Sequence, residues 1–467
     1  MIRVIKLGGS CLKDGPSVLK AAGLAGAGRG KAALVVSAVQ GVTDLLLEAY
    51  QTVLHQGKDP APVVARIRQK HEALANECLA RKEVRDGLEA RFSGIFGTLE
   101  RVLLGISCTG ESTGTIKARV LSCGERASAF LLAAALEDAG TGARVYETDK
   151  VGLATGGGDP ENGSVDLGGF DRLFRPAAEA VLAADEVAVF TGFFGSTPDG
   201  KVSLFGRNGS DYSAAVIARG LGASRLEIWK DVPGFMTADP RLVHEARLIP
   251  RLSRKEAAEL SYFGAKILHP KTWVPLEDRP VPVEIRSFDD ERSPGTVILP
   301  RGERTPGIVK SFSLNRDVAV LRVSGPGIGG QPGIIGRIGS LLAARGINIL
   351  TVLTSQTCIN LILASAEAGQ AVKVLGEAGE ETLRLIEAEE DLSLLAAVGE
   401  GIRETCGVAG RIFSVLSGAG VNMEFFSSGA SDAAVYMLIK RTGAEKAINS
   451  LHRHFFGAWD GPSPAGC

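Results

Sequence analysis

The sequence predicts an α/β protein: an αβα sandwich around a mostly parallel sheet, followed by two small βαββαβ modules. Three observations carry this reading. Short, nearly all-apolar runs alternate with helix-period patterns over the first 290 residues. A charged stretch punctuated by Pro and Gly, Asp289–Pro306, reads as a join. Beyond it the sequence repeats itself at a spacing of 74 residues.

In order, Ile2–Leu7 reads as a strand ending in Gly8-Gly9-Ser10, and Ala32–Ser37 as a second. The second is nearly all apolar, as a strand covered on two faces should be. Arg144–Tyr146, Val187–Thr191, Leu226–Trp229 and Val281–Arg286 continue the series, with a helix expected over Ser128–Ala139. Thr155–Gly163 reads as a long loop, either a flap or plain surface. The division expected is a catalytic domain at 1–290, a linker at 291–310 and modules at 311–390 and 391–467.

The repeat is direct. Gly325–Asn348 laid on Gly399–Asn422 gives eleven identities in 24 positions without a gap. Each copy reads strand, glycine turn, amphipathic helix, then a strand after the Asn. The helices are marked by Ile334, Ile338, Leu341 and Leu342, then Val408, Ile412, Val415 and Leu416.

Composition narrows function. The 467 residues exceed the usual domain length of about 100–200, so several domains are expected. Lys and Arg total 52 against 53 Asp and Glu, with no basic stripe, which argues against nucleic acid as a partner. Seven scattered cysteines without a C-x-x-C pair suit reduced thiols in the cytoplasm rather than disulfides or a zinc site; no resident metal is expected. Lys6 and the glycines occupy the place where a signal peptide needs its apolar core. Polar residues interrupt Gly346–Ala366, the one long uncharged stretch, so no membrane span is expected.

Several motifs suit phosphate chemistry. Gly325–Gly330 formally matches G-x-G-x-x-G, but no acid follows about 20 positions on, and the repeat copy carries Glu400 inside the motif. It reads as a turn. Lys6-Leu7-Gly8-Gly9-Ser10 is a better cradle, with glycines able to form an anion-binding nest and Lys6 adding a point charge; a tight turn with a surface Lys is the alternative. In Gly206–Asp211, Ser210 or Asp211 would serve as a helix cap, while Arg207 offers a fork for a carboxylate or phosphate. Trp229–Gly234, Asp239-Pro240-Arg241 and Phe263–Pro270 place further cations in loops, and His269 reads as a satisfied helix-end histidine.

Together and in this order, these segments resemble the aspartate kinases of the amino-acid kinase superfamily. The resemblance is carried by Lys6–Ser10, Ser37–Asp44, Gly124-Glu125, Gly206–Ala214, Trp229–Arg241 and Phe263–Pro270, and by a tail similar to tandem ACT modules. Asn208 is more like the kinase half of the bifunctional aspartokinase–homoserine dehydrogenases, though no dehydrogenase half is expected within 467 residues. Lys230 and Met236 stand where Thr and Tyr are common.

The resemblance implies transfer of the γ-phosphoryl of ATP, with Mg²⁺, to the β-carboxylate of L-aspartate. Such an acceptor, with a pKa of about 3.9, is already ionised and needs no general base, so charge neutralisation and positioning must supply the catalysis. By resemblance Lys6 stabilises the transferring group and Asp211 organises that lysine. Arg207 clamps the substrate carboxylate, Glu125 takes the ammonium, and Ser37, Thr43 and Ser210 add hydroxyl contacts. Gly8, Gly9, Ser10, Lys230, Asp231, Met236, Arg241 and Lys266 fall on the nucleotide side. Threonine or lysine is the expected effector, near Asn348, Ser355, Asn422 and Ser428, in a homo-oligomer joined through the ACT modules. The alternatives are another phosphotransferase of the superfamily and a non-catalytic amino-acid sensor.

Overall fold

The structure is a computed structural model describing residues 1–26, 30–264, 267–305, 307–379 and 383–457. Its chain forms two compact units. The first comprises Met1–Phe235, Leu248–Ala258 and Ile267–Gly302; the second comprises Met236–Arg247, Glu259–Lys266 and Glu303–Cys467.

The first unit is built on an eight-stranded sheet. Its strands are β1 (Ile2–Leu7), β2 (Lys31–Val36), β3 (Ala143–Tyr146), β4 (Val187–Thr191), β7 (Leu226–Lys230), β8 (Arg251–Ser253), β9 (Val283–Ser287) and β10 (Thr296–Leu299). A separate hairpin pairs β5 (Phe194–Ser196) with β6 (Val202–Leu204). The sheet order is β3-β4-β2-β1-β7-β9-β10-β8, parallel except where β9 meets β10. Every residue of β1 is buried, the expected state of a central strand with helices on both faces.

Chain order fixes where a ligand can sit. From β1 the chain adds β2, β4 and β3 on one side, then crosses to place β7 on the other. The carboxyl ends of β1 and β7 therefore flank a topological switch point, where open α/β sheets leave a crevice.

Helices at 42–56, 61–78, 82–109 and 114–121 stand between β2 and the helix Cys123–Asp138. The sequence reading named only the last of these stretches, as Ser128–Ala139. Glycine ends mark two of the others: Gly57 and Gly110 adopt left-handed conformations and donate their N–H groups to Val53 and Ile106.

The second unit carries a six-stranded antiparallel sheet. Its strands are β11 (Ser311–Ser324), β12 (Ile349–Thr354), β13 (Cys358–Ala364), β14 (Leu385–Val398), β15 (Met423–Ser427) and β16 (Ala434–Lys440), in the order β12-β13-β11-β14-β16-β15. The repeat is visible in its backbone. Three glycine pairs shared by the copies, Gly327/Gly401, Gly333/Gly407 and Gly346/Gly420, all adopt positive φ, where a side chain would be strained. Ile334, Ile338 and Leu342 are buried in one helix, Val408, Ile412 and Leu416 in the other.

The two copies are not stacked end to end. Strands β11 and β14 are each 14 residues long and run antiparallel, with the register shifting after Asn315. Phe312, on the first half of β11, joins the core formed by the second copy; Leu321 and Val323, on its second half, join the core of the first. Each long strand thus serves both modules, an arrangement that a linear repeat cannot announce.

Candidate active site

The register of β1 and β7 places two lysines together. Lys6 lies opposite Ile228, and Lys230 follows two residues later. Side chains two apart on a strand share a face, so both ammoniums emerge on the same side. The helix Gly209–Gly220 brings Asp211 to meet them. One carboxylate oxygen lies 2.8 Å from Lys6 Nζ, and the other accepts a hydrogen bond from Lys230 Nζ at 2.9 Å. Lys230 also donates to the Ile267 carbonyl.

Asp211 is only 1% exposed. Burial by itself would raise its pKa, but Lys6 and then Lys230 outweigh that, and the carboxyl sits below its ordinary range. Lys230 is pushed down, by burial first and with Lys6 adding to the effect, while Asp211 opposes it. Two cations against one anion leave a surplus positive charge at the strand ends. Buried, it is a strong attractor for an anionic ligand.

This changes two readings. Asp211 is not a helix cap: the N-cap is Asn208, in the left-handed region at φ 56°, with no side-chain cap bond. Lys230, read by resemblance as a nucleotide contact in the turn, is tied to the same carboxylate as Lys6.

The glycines of the first motif also act differently from the nest expected. Gly8 is extended (φ −72°, ψ 166°), its N–H directed at the Trp229 carbonyl 3.4 Å away, and Gly9 opens the 3-10 turn Gly9–Leu12. Neither has the left-handed φ of a nest. The smallness of Gly9 serves close approach instead: a Cβ there would lie 2.9 Å from the Ala38 carbonyl oxygen. Ser10 is half-buried beside them, and Asp231 is exposed.

Glu125 lies in the first turn of Cys123–Asp138 and is 3% exposed. One carboxylate oxygen accepts the Ala38 N–H at 3.1 Å; the other is buried without a partner. Burial pushes its pKa up to about 8, against the opposing influence of the Ala38 bond, Lys6 and Arg126. An orphaned buried acceptor is the mark of a group awaiting a donor. The sequence reading passed over the next residue. Arg126 is gripped by Glu147 and, at 2.7 Å, by Asp149, and it lies over the Phe194 ring. That network fixes the helix turn presenting Glu125.

Ser37 follows β2 and donates its N–H to the Leu7 carbonyl; Thr43 lies in the first turn of Val42–Gln56. Both are half-buried. Ser210 is buried against Gly192, where a Cβ would come within 2.8 Å of the Ser210 Cβ. Arg207 is exposed, and among the described residues it has no hydrogen-bonding or ionic partner. Met236 and Arg241 belong to the stretch that groups with the second unit, where Arg241 forks onto Asp239. Lys266 lies outside the described residues. His269 accepts the Lys271 N–H through Nδ1, as a helix-end histidine should.

The four effector candidates sit along the two edge strands of the second sheet. Asn348 is exposed just before β12 and hydrogen-bonds Tyr262. Ser355 is engaged inside the β12–β13 turn, where its hydroxyl accepts the Cys358 N–H at 3.0 Å. Asn422 is exposed before β15 and reaches Glu424; Ser428 is exposed beyond it. Among the described residues, no group of three His, Cys, Asp or Glu side chains could hold a metal. No described helix is long and apolar enough to cross a membrane.

The model of the amino acid kinase family matches residues 1–287. The chain belongs to the amino acid kinase family. Two ACT domain models match residues 313–377 and 395–455. A bifunctional aspartokinase/homoserine dehydrogenase of Haemophilus influenzae is 34% identical over 376 residues, covering 79% of this chain and 45% of that protein. Aspartokinase 1, chloroplastic, of Arabidopsis thaliana is 30% identical over 368 residues, covering 78% of this chain and 64% of that protein. The chain thus spans roughly half to two-thirds of these relatives. Among solved structures, E. coli aspartokinase III with lysine and aspartate is 27% identical with a TM-score of 0.82. The same enzyme with aspartate and ADP is 26% identical with a TM-score of 0.78. Each alignment covers 97% of this chain and 99% of the other.

Proposed function

We propose that this protein is an aspartate kinase, transferring the γ-phosphoryl of ATP to the β-carboxylate of L-aspartate to give 4-phospho-L-aspartate. The observation that carries the reading is the buried Lys6–Asp211–Lys230 cluster, whose surplus positive charge lies at the switch point of the sheet.

Donor and acceptor are both anions, so their approach is the main barrier, and fixed cations lower it without reorganising at the moment of transfer. Lys6 and Lys230 meet the phosphoryl oxygens, and Asp211 holds the two ammoniums in place. Arg207 takes a substrate carboxylate. Glu125 takes the substrate ammonium on its unpartnered oxygen. Gly8, Gly9, Ser10 and Asp231 belong to the phosphate side of this reading, with Ser37, Thr43 and Ser210 on the aspartate side. Both Asp211 oxygens face lysines, and the described residues offer no metal cage. Mg²⁺ is therefore proposed to come with the nucleotide, where it neutralises polyphosphate charge.

We read the chain as a catalytic domain at 1–290, a linker at 291–310 and ACT modules at 311–390 and 391–467. The two sheet-edge strands β12 and β15 support a homo-oligomer, since an open edge and apolar face invite pairing with a second copy. Threonine or lysine would bind beside them; the lysine in the E. coli structure supports an amino-acid effector in this fold. Six free cysteines among the described residues suit a reducing cytoplasm. The decisive test is ADP release from Mg·ATP with a panel of acceptors, with hydroxylamine to trap an acyl phosphate. Aspartate alone should support turnover. Equal turnover with glutamate or N-acetylglutamate would overturn the acceptor assignment, and none with any acceptor would leave a sensor.

A further inference from the structure

Lys271 is a half-buried cation without an acid among the described residues. It lies in the 3-10 segment Pro270–Leu276, its backbone N–H held by His269 Nδ1 at 3.1 Å. The side chain passes over the Tyr212 ring at 5.1 Å. Its ammonium donates to the carbonyl oxygens of Gly163 and, at 3.1 Å, Phe205, and to Asn162 Oδ1 at 3.4 Å. A lysine ammonium has three donors, and these three neutral oxygens match them. Burial lowers its pKa, with no carboxylate acting against it. Burying such a charge is costly unless its donors are matched, as these are.

The three oxygens come from two segments. Gly163 and Asn162 end the loop Thr155–Gly163, while Phe205 immediately precedes the turn that carries Arg207. That loop already docks on β6: Gly163 donates to the Leu204 carbonyl at 2.8 Å, and Leu204 donates to that of Pro160 at 2.7 Å. Lys271 closes the end nearest Arg207. The turn itself is tightly constrained. Gly206 (φ 77°) and Asn208 (φ 56°) are both left-handed, and Asn162 Oδ1 occupies the space a Gly206 side chain would need. Arg207 is thus a guanidinium without a partner among the described residues, on a backbone held from both sides. His269 is lowered by burial first, then by the charges of Lys271 and Arg207.

We propose that Lys271 is a positioning residue. It fastens the Thr155–Gly163 loop to the Gly206–Asn208 turn, and so sets the geometry with which Arg207 receives the carboxylate of the amino-acid substrate. The proposal rests on the aspartate kinase reading for its substrate and on the structure for the fastening.

The test uses the full chain with Lys271→Met, of similar length but without donors, and Lys271→Arg, which keeps donors and charge. In Lys271→Met the KM for aspartate should rise about tenfold, the loss expected for charged hydrogen bonds, with kcat and the KM for ATP changed less than about twofold. Lys271→Arg should recover part of that loss. Limited proteolysis supplies a readout independent of activity: cleavage within 155–163 should be faster in Lys271→Met than in wild type. A folded Lys271→Met with unchanged aspartate KM and unchanged cleavage would overturn the proposal. If that variant does not fold, Asn162→Ala removes one of the three acceptors and should raise the aspartate KM by about two- to threefold; no change there would also overturn it. Wild-type protein lacking aspartate-dependent ADP release would remove the kinase reading, whereas an active wild type with an indifferent Lys271→Met removes this inference alone.

Discussion

Asp211 and Asn348 were both marked by the sequence, and the two units treat them in opposite ways. Asp211 is 1% exposed between two ammoniums, on a helix packed over the carboxyl ends of parallel strands. Asn348 is exposed in a turn before an edge strand, with one hydrogen bond to Tyr262. The first unit holds its charge cluster desolvated, with both Asp211 oxygens already paired within one chain. The second offers polar groups along the edges of its sheet, which we read as a surface for a ligand or second subunit. A buried charge cluster is suited to chemistry, where reorganisation is costly. An exposed edge is suited to a ligand or second subunit whose binding shifts an equilibrium between conformations.

The largest effect should come from the buried cluster. Lys6→Ala and Asp211→Asn should lower aspartate-dependent ADP release by about 10²–10³, the scale for removing one pre-organised electrostatic partner. Near wild-type turnover in Lys6→Ala, with an unchanged circular dichroism spectrum, would break the contrast, because the buried charges would then be structural only. Arg207→Ala should act mainly on aspartate binding, raising KM about tenfold or more with a smaller change in kcat.

Glu125 sharpens the comparison through pH. Its carboxyl is raised to about 8 by burial, so in the empty protein it is largely neutral at pH 7. Binding an ammonium requires the ionised form, so the KM for aspartate should fall as pH rises from 6 towards 8, then level off. Glu125→Gln should flatten that profile and leave a high KM throughout. Linkage gives a second sign. A carboxyl whose folded pKa lies above its unfolded value stabilises the fold fully below about 4.5, and that stability is lost as pH rises through about 8. Thermal melts of the free protein over this window should decline, and less so with aspartate bound.

The smallest effects belong to the edges. Asn348→Ala and Asn422→Ala should shift the midpoint of inhibition by threonine or lysine by about fivefold, within the usual coupling range of 1–3 kcal/mol. Calorimetry with each amino acid, with and without aspartate, should show reciprocal antagonism if the effect is on affinity. No heat and no inhibition at millimolar concentration would leave the repeat as a platform. Light scattering should report at least a dimer; a monomer at assay concentration would sink the reading of the edges as subunit contacts.

Much of this was legible in the residues. Ile2–Leu7 and Val187–Thr191 are strands with the bounds their β-branched and apolar runs predict, because a buried central strand needs mostly apolar residues. The paired glycines of the repeat reveal their reason in a shared positive φ. Lys6, Arg207 and Asp211 stood out by residue type and neighbours, since local sequence encodes turns and charge.

What the chain alone did not disclose is everything set by register and by long-range approach. That Lys230 shares the Asp211 carboxylate with Lys6 follows from the pairing of Lys6 with Ile228 across 222 residues of sequence, and no local pattern carries that number. Arg126 needed Glu147 and Asp149 from beyond its own helix, and Lys271 needed oxygens from 66 and 108 residues away. Gly8 and Gly9 looked like a phosphate nest because glycine permits one, but in the fold the Ala38 carbonyl demands the smallness of Gly9. The division of β11 and β14 between two modules is likewise invisible in a linear repeat, since a strand does not record which half will face which core. Periodicity and turn chemistry act over a few residues and are written in the sequence. Desolvation, ion pairing and close approach depend on which distant segments meet, and only the tertiary structure decides that.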